Sequence, residues 1–295
     1  MKNNPPFKGC ATALVTPFLN GEIDKRSFGK LIERQIANGV SALVIGGTTG
    51  ECATLGDKER EELYRYAVEV IDGRAKVILG NGTNDTRVAI SHTKLAESLG
   101  ADALLTVTPY YNKGTVNGIY SHYEEIAKAT KLPIILYNVP SRTGVNLSLE
   151  ILEKLAEIDN IVALKEASDS LDRLVDLTAV LGDKLAIYSG NDTQLFPTLA
   201  LGGAGIISVL SNLLPREVEE ICHAYFGGEM DRARTLANAT LPLSHALFLD
   251  TNPSPVKYAL SRLGLCKGEL RLPLAEASPE VKEKIDILLA RYSLL

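Results

Sequence analysis

The chain has 295 residues, 45% hydrophobic and 23% charged, with a formal net charge of −5 and a pI near 5.5. That length and composition support one large core with room for a small appendage, and they argue against a nucleic-acid partner, which needs a clustered basic face. Residues 1–7 are polar with two prolines where a signal peptide needs an apolar run, and no stretch reaches the roughly 20 apolar residues of a membrane span, so a cytoplasmic protein is expected.

In chain order, runs rich in Val, Ile, Leu and Ala recur at 12–16, 42–46, 76–80, 103–107, 133–137, 161–165, 185–189 and 205–209. Each is apolar on both faces, as a strand covered from both sides requires. Helical periodicity fills the gaps: Phe28, Leu31, Ile32 and Ile36 share one stripe, as do Val116, Ile119, Tyr120, Tyr123 and Ile126. Asp24 and Ser148 stand where N-caps are wanted, and Gly39, Gly73, Gly100 and Gly182 where a left-handed C-terminal residue is wanted. Eight βα units in this span predict an α/β fold, a (β/α)₈ TIM barrel over 1–224, ahead of an open doubly wound sheet, which commonly has five or six strands. After Pro215 only helical pattern remains, broken at Pro242, Asn252-Pro253, Gly264 and Ser278-Pro279, so 225–295 reads as a C-terminal helical domain.

In such a barrel the chemistry sits at the C-terminal ends of the strands. Lys165 closes the run Ile161-Val162-Ala163-Leu164, at the mouth of an apolar strand. Desolvation there disfavours the ammonium and leaves a free amine able to attack a carbonyl. Taken alone, Lys165 reads more readily as a lysine snorkelling out of the strand or paired with Glu166. Tyr137 ends the preceding strand, close enough for its phenol to exchange a proton with the lysine or its adduct. Gly46-Gly47-Thr48-Thr49-Gly50 offers backbone N–H groups and two hydroxyls for a small carboxylate, or is simply a βα turn that needs glycines. Arg142, five residues past Tyr137, suits a bidentate grip on a carboxylate, although a bare loop arginine is commonly just solvated. Tyr110-Tyr111 reads first as a packing or interface pair.

Two rival chemistries find little support. His92, His122, His223 and His245 have no metal spacing, and Cys10, Cys52, Cys222 and Cys266 include no C-x-x-C, so neither a metal centre nor a disulfide framework is expected. Gly202-Gly203-Ala204-Gly205 has the look of a phosphate cradle but no accompanying basic residue.

Gly-Thr-Thr-Gly-Glu at 47–51, Tyr-Tyr-Asn at 110–112, Tyr-Asn-Val-Pro-Ser-Arg-Thr-Gly at 137–144, Leu-Lys-Glu at 164–166 and Ser-Gly-Asn-Asp at 189–192 together resemble the dihydrodipicolinate synthase family. Each motif is weak alone; five in register on successive strand ends are specific. The resemblance implies that Lys165 forms a Schiff base with pyruvate while Thr49 and nearby N–H groups hold the pyruvate carboxylate. It implies that the enamine attacks the aldehyde of L-aspartate 4-semialdehyde, whose carboxylate Arg142 holds. Tyr137, Thr48 and Tyr111 would relay protons, Tyr111 reaching across a tight dimer, and Gly190 and Ile207 would line the pyruvate pocket. No cofactor or metal is implied, and the oligomer would be a homotetramer built as a dimer of tight dimers.

The wider superfamily includes N-acetylneuraminate lyase and keto-sugar-acid aldolases, which share the lysine and the first tyrosine. A sugar-acid lyase is therefore the alternative activity, with Arg142 favouring the synthase branch. A catalytically silent barrel that senses a keto acid is a third possibility, against which Lys165, Tyr137 and Thr48 together argue. Lysine-inhibited relatives carry polar and histidine residues after Gly-Thr-Thr-Gly-Glu and a glutamate on the next helix where this chain has Cys52, Asp57, Arg60 and Val88, keeping only Asn84 and Tyr110 of that crevice, so L-lysine is doubtful as an effector. Gly114 replaces a proline usual among relatives, which loosens the Tyr111 loop.

Overall fold

A computed structural model describes residues 5–295; Met1–Asn4 of the polar N-terminus lie outside the described residues. Eight strands form the framework: β1 Gly9–Ala13, β2 Ala42–Ile45, β3 Lys76–Gly80, β4 Ala103–Val107, β5 Ile134–Asn138, β6 Ile161–Glu166, β7 Ala186–Ser189 and β8 Gly205–Ser208. They run in the closed order β1-β8-β7-β6-β5-β4-β3-β2, the (β/α)₈ barrel expected from the alternation of patterns. A short antiparallel ribbon, Phe18–Leu19 with Glu22–Ile23, follows β1.

The strands are apolar because almost all their residues are buried, and parallel strands with helices outside and packed side chains inside have no wet face. The helices start where capping chemistry allows. Asp24 accepts from Ser27 N, Thr115 from Gly118 N, Ser148 from Ile151 N and Ser170 from Arg173 N, each satisfying an N–H that the first turn leaves without a partner.

Five sequence expectations need correction. The first strand lies at Gly9–Ala13, not 12–16: Leu14, Val15 and Thr16 stay buried beyond its end, so the apolar signal outruns it. Gly182 is right-handed rather than left-handed, and is a glycine because a Cβ there would stand 2.5 Å from the Thr178 carbonyl. Pro242 does not break its helix, which runs Met230–Ala246; packing of Ala233, Thr240, Leu243 and Ala246 carries the helix past the one hydrogen bond that proline forfeits. Ile36 is only half-buried, whereas Gln35 is buried because its amide is satisfied by Thr12 and Ser211. Val116 is exposed in the first turn of its helix.

Contact density divides the chain into two units, the described residues up to Gly9 with Lys76–Ile207, and Cys10–Ala75 with Ser208–Leu295. Among the described residues no helix is long and apolar enough to cross a membrane.

Candidate active site

In the unit that includes Lys76–Ile207, parallel pairing sets Tyr137 of β5 beside Lys165 of β6, and Asn138 beside Glu166. Successive side chains on a strand point to opposite faces, so Lys165 and Glu166 are separated by the pleat despite being neighbours. Lys165 is only 5% exposed, and its Nζ lies 4.2 Å from the centroid of the Tyr137 ring. Among the described residues it forms no hydrogen bond or ion pair. The contact is with the ring face, not the phenol oxygen. Beneath it, Thr108 Oγ1 donates to the Tyr137 carbonyl at 3.0 Å, and Tyr123, a fully buried phenol whose ionisation burial opposes, lies behind Thr108 at 3.4 Å.

Glu166 is not a partner of Lys165. Its carboxylate accepts from Asn138 Nδ2 at 3.0 Å, from Ser168 N at 2.8 Å and from Arg173 Nε at 3.1 Å. The same network holds the following loop: Asn138 Oδ1 accepts from Leu147 N, and Arg173 Nη2 donates to the Leu147 carbonyl at 2.6 Å. Arg142 stands on that loop, exposed, in the short helix Pro140–Thr143, which Gly144 ends in a left-handed conformation.

Gly190 follows β7, its N–H donating to the Glu166 carbonyl at 2.6 Å, and a Cβ there would press on Ala167 at 2.5 Å. Ile207 is fully buried in β8. The glycines of 202–205 lie at the start of that strand, the end opposite to the chemistry. Side chains at Gly203 and Gly205 would overlap Thr198 and the Gly9 carbonyl, so close packing rather than phosphate binding accounts for them. Tyr111 stands apart at 88% exposure, on a left-handed backbone with φ of 73°, and no described residue hydrogen-bonds its hydroxyl.

In the unit made of Cys10–Ala75 and Ser208–Leu295, the turn after β2 folds on itself. Gly50 N and Cys52 N donate to the Gly47 carbonyl and Glu51 N to the Thr48 carbonyl, so these three N–H groups are used internally. The N–H groups of Thr48 and Thr49 have no acceptor among the described residues. Thr49 is buried, and its Oγ1 accepts from Asn252 Nδ2 at 3.0 Å.

Glu51, left-handed at φ 54°, pairs with Lys257 at 2.6 Å, both side chains 0% exposed. Lys257 also donates to the Thr16 carbonyl at 2.9 Å and lies 4.4 Å over the Phe18 ring. Burial pulls its ammonium below the usual lysine range while Glu51 pulls the other way.

Sequence reasoning missed Asn252, Lys257 and Arg173. Asn252-Pro253 served only as a helix break, and the one available signal for Lys257 was a lysine inside the apolar stripe Val256, Ala259, Leu260. None of the four cysteines forms a disulfide, and among the described residues no group of three or more His, Cys, Asp and Glu is placed to hold a metal ion.

A model of the dihydrodipicolinate synthetase family matches residues 6–291. The chain is similar to the 4-hydroxy-tetrahydrodipicolinate synthase of Syntrophobacter fumaroxidans, 47% identical over 290 residues that cover 98% of this chain and 100% of that one. Among solved structures, the dihydrodipicolinate synthase of Thermotoga maritima superposes with a TM-score of 0.96 at 43% identity, covering 99% of this chain and 100% of that chain. A monomeric dihydrodipicolinate synthase variant superposes with a TM-score of 0.96 at 43% identity, covering 98% of each.

Proposed function

The chain belongs to the dihydrodipicolinate synthetase family, a class I aldolase-type lyase that condenses pyruvate with L-aspartate 4-semialdehyde to 4-hydroxy-tetrahydrodipicolinate in lysine and diaminopimelate biosynthesis, and we propose that Lys165 carries this reaction as a Schiff base. The observation behind the proposal is the state of Lys165: almost buried, stacked on Tyr137, and without a carboxylate because Glu166 is already engaged by Asn138, Ser168 and Arg173. A lysine kept for structure would be paired. An unpaired amine at the end of a barrel strand is available to a carbonyl carbon.

In the proposed sequence Lys165 Nζ adds to the pyruvate ketone carbon and water leaves, giving the imine. A methyl proton is lost to give the enamine, whose carbon forms a bond to the aldehyde carbon of the second substrate. The amine of that substrate then attacks the imine carbon, closing the ring as the bond to Lys165 breaks. Tyr137, Thr48 and Tyr111 move the protons. Thr49 with the N–H groups of the turn holds the pyruvate carboxylate, Arg142 that of the aldehyde, and Gly190 and Ile207 line the pyruvate pocket.

Tyr111 serves a neighbouring subunit in this scheme, which suits its exposure and its fixed left-handed backbone. The assembly is proposed to be a homotetramer of tight dimers working in the cytoplasm. Borohydride reduction with pyruvate, followed by peptide mass mapping, is expected to leave one reduced pyruvyl adduct on Lys165. An unmodified Lys165 rejects the covalent step.

A further inference from the structure

Thr49 raises a question of polarity. A threonine hydroxyl has one proton to donate and lone pairs to accept with. Asn252 Nδ2, 3.0 Å away, donates to Oγ1 and so occupies the accepting side. The side chain is only 2% exposed, and its own proton has no acceptor among the described residues, nor have the N–H groups of Thr48 and Thr49. Three donors thus meet no protein oxygen, and for the two of buried Thr49 this is unfavourable unless a ligand or a water supplies acceptors. A carboxylate offers acceptors alone.

We propose that Asn252 is a positioning residue for pyruvate: its amide fixes the Thr49 hydroxyl as a donor, and the buried Glu51–Lys257 pair holds the amide and the turn in one frame. This rests on the reading in which Thr49 holds the pyruvate carboxylate.

The frame is continuous through one unit of the fold. Asn252 stands two residues before the helix Ser254–Arg262, and Lys257 on that helix grips the same turn through Glu51 Oε1 at 2.6 Å while also donating to the Thr16 carbonyl at 2.9 Å. Glu51 Oε2 accepts from Arg271 N at 3.1 Å, and Thr16 Oγ1 donates to the Gly50 carbonyl at 2.8 Å, so the turn is tied at the two residues that follow Thr49. The helical segment 225–295 therefore contributes to substrate recognition without touching substrate.

The test is a double-mutant cycle on steady-state constants for both substrates, with urea unfolding run alongside. Thr49→Val, which removes the hydroxyl at nearly constant shape, is expected to raise the KM for pyruvate about ten- to hundredfold, the worth of a hydrogen bond to a charged group, with little change in the KM for the aldehyde. Asn252→Ala is expected to raise the same constant about three- to tenfold alone and by less than twofold in the Thr49→Val background, because its effect passes through the hydroxyl. Asn252→Asp keeps the size but turns the donor into an acceptor, and is expected to be worse than Asn252→Ala, an order that a merely structural role would reverse.

Equal fold-losses from Asn252→Ala in both backgrounds overturn the positioning role while leaving the carboxylate reading of Thr49 intact. A Thr49→Val protein with parental pyruvate KM overturns both. Should Asn252→Ala fail to fold, Asn252→Asp outperforming Asn252→Ser on pyruvate KM would overturn the proposal by itself.

Discussion

Glu51 and Glu166 each close a rim motif, Thr-Thr-Gly-Glu and Leu-Lys-Glu, and each is held by a cation on a helix, Lys257 far along the chain and Arg173 on the helix that follows the strand of Glu166. Their surroundings differ. The Glu51–Lys257 pair is fully buried and fastens a turn of the backbone, whereas Arg173 is 15% exposed and divides its fork between Glu166 and the Leu147 carbonyl, fastening the loop that carries Arg142. One anchor is dry and serves the turn assigned to pyruvate. The other is partly wet and serves the loop assigned to the aldehyde. In both motifs the carboxylate that follows a rim residue in sequence thus belongs to the scaffold and does not partner its neighbour.

The largest expected effect tests whether the half that includes Lys165 does the covalent work. Tyr137→Phe should lower kcat about 10²- to 10⁴-fold with small changes in KM, and a rate within about twofold of the parent removes Tyr137 from the relay.

Next comes the dry anchor. Lys257→Met leaves a buried carboxylate unpaired and should cost about 3–5 kcal/mol in urea unfolding, most of it regained in the double variant Glu51→Gln/Lys257→Met. A single variant as stable as the parent contradicts the buried pair.

The wet anchor should be worth less. Arg173→Ala is expected to cost about 1.5–3 kcal/mol, to raise the KM for the aldehyde more than that for pyruvate, and to leave borohydride trapping of pyruvate unchanged. A larger pyruvate effect would erase the contrast between the anchors.

Acid separates the two units again. Burial holds the His122 imidazole down at about 4, with Nδ1 2.9 Å from Thr86 Oγ1. Between pH 6.5 and about 4 the unfolded chain takes up a proton that folded His122 refuses, so stability falls as pH drops, by about 3 kcal/mol. Glu219, in the other unit, has its carboxyl raised by burial despite bonds from Cys10 N and Ser41. There the folded state takes the proton first, so stability gains as pH falls toward the ordinary glutamate range. His122→Asn should flatten the loss and Glu219→Gln deepen it; parallel pH profiles for the two variants would remove the distinction.

The smallest effect is one of regulation. Arg60 already donates to Tyr64 and to the Cys52 carbonyl, and Val88 offers no carboxylate to an effector's ammonium. L-lysine is therefore expected to inhibit weakly, and half-inhibition below millimolar concentration would contradict this.

Most of the framework was legible because burial on both faces writes itself into a strand as an unbroken apolar run, which is why 76–80 and 103–107 match their strands. The first strand slipped because its start, Gly9-Cys10, carries no strand signature while Leu14-Val15 beyond its end does. At the site, Lys165 was visible as a charge ending an apolar run. Its freedom from Glu166 follows from the alternation of the pleat, which sends neighbours on a strand to opposite faces. Asn252 was not legible, since its partner Thr49 is 203 residues away and no local pattern records which way an amide donates.

The solvent-free ammonium of Lys257 has a practical use. Amine-directed reagents that label surface lysines in the native protein must wait for this side chain until its helix lifts from Phe18 and Thr16. Its labelling rate is thus a clock for the opening of the turn beneath it, readable in the same digest that reports on every other lysine.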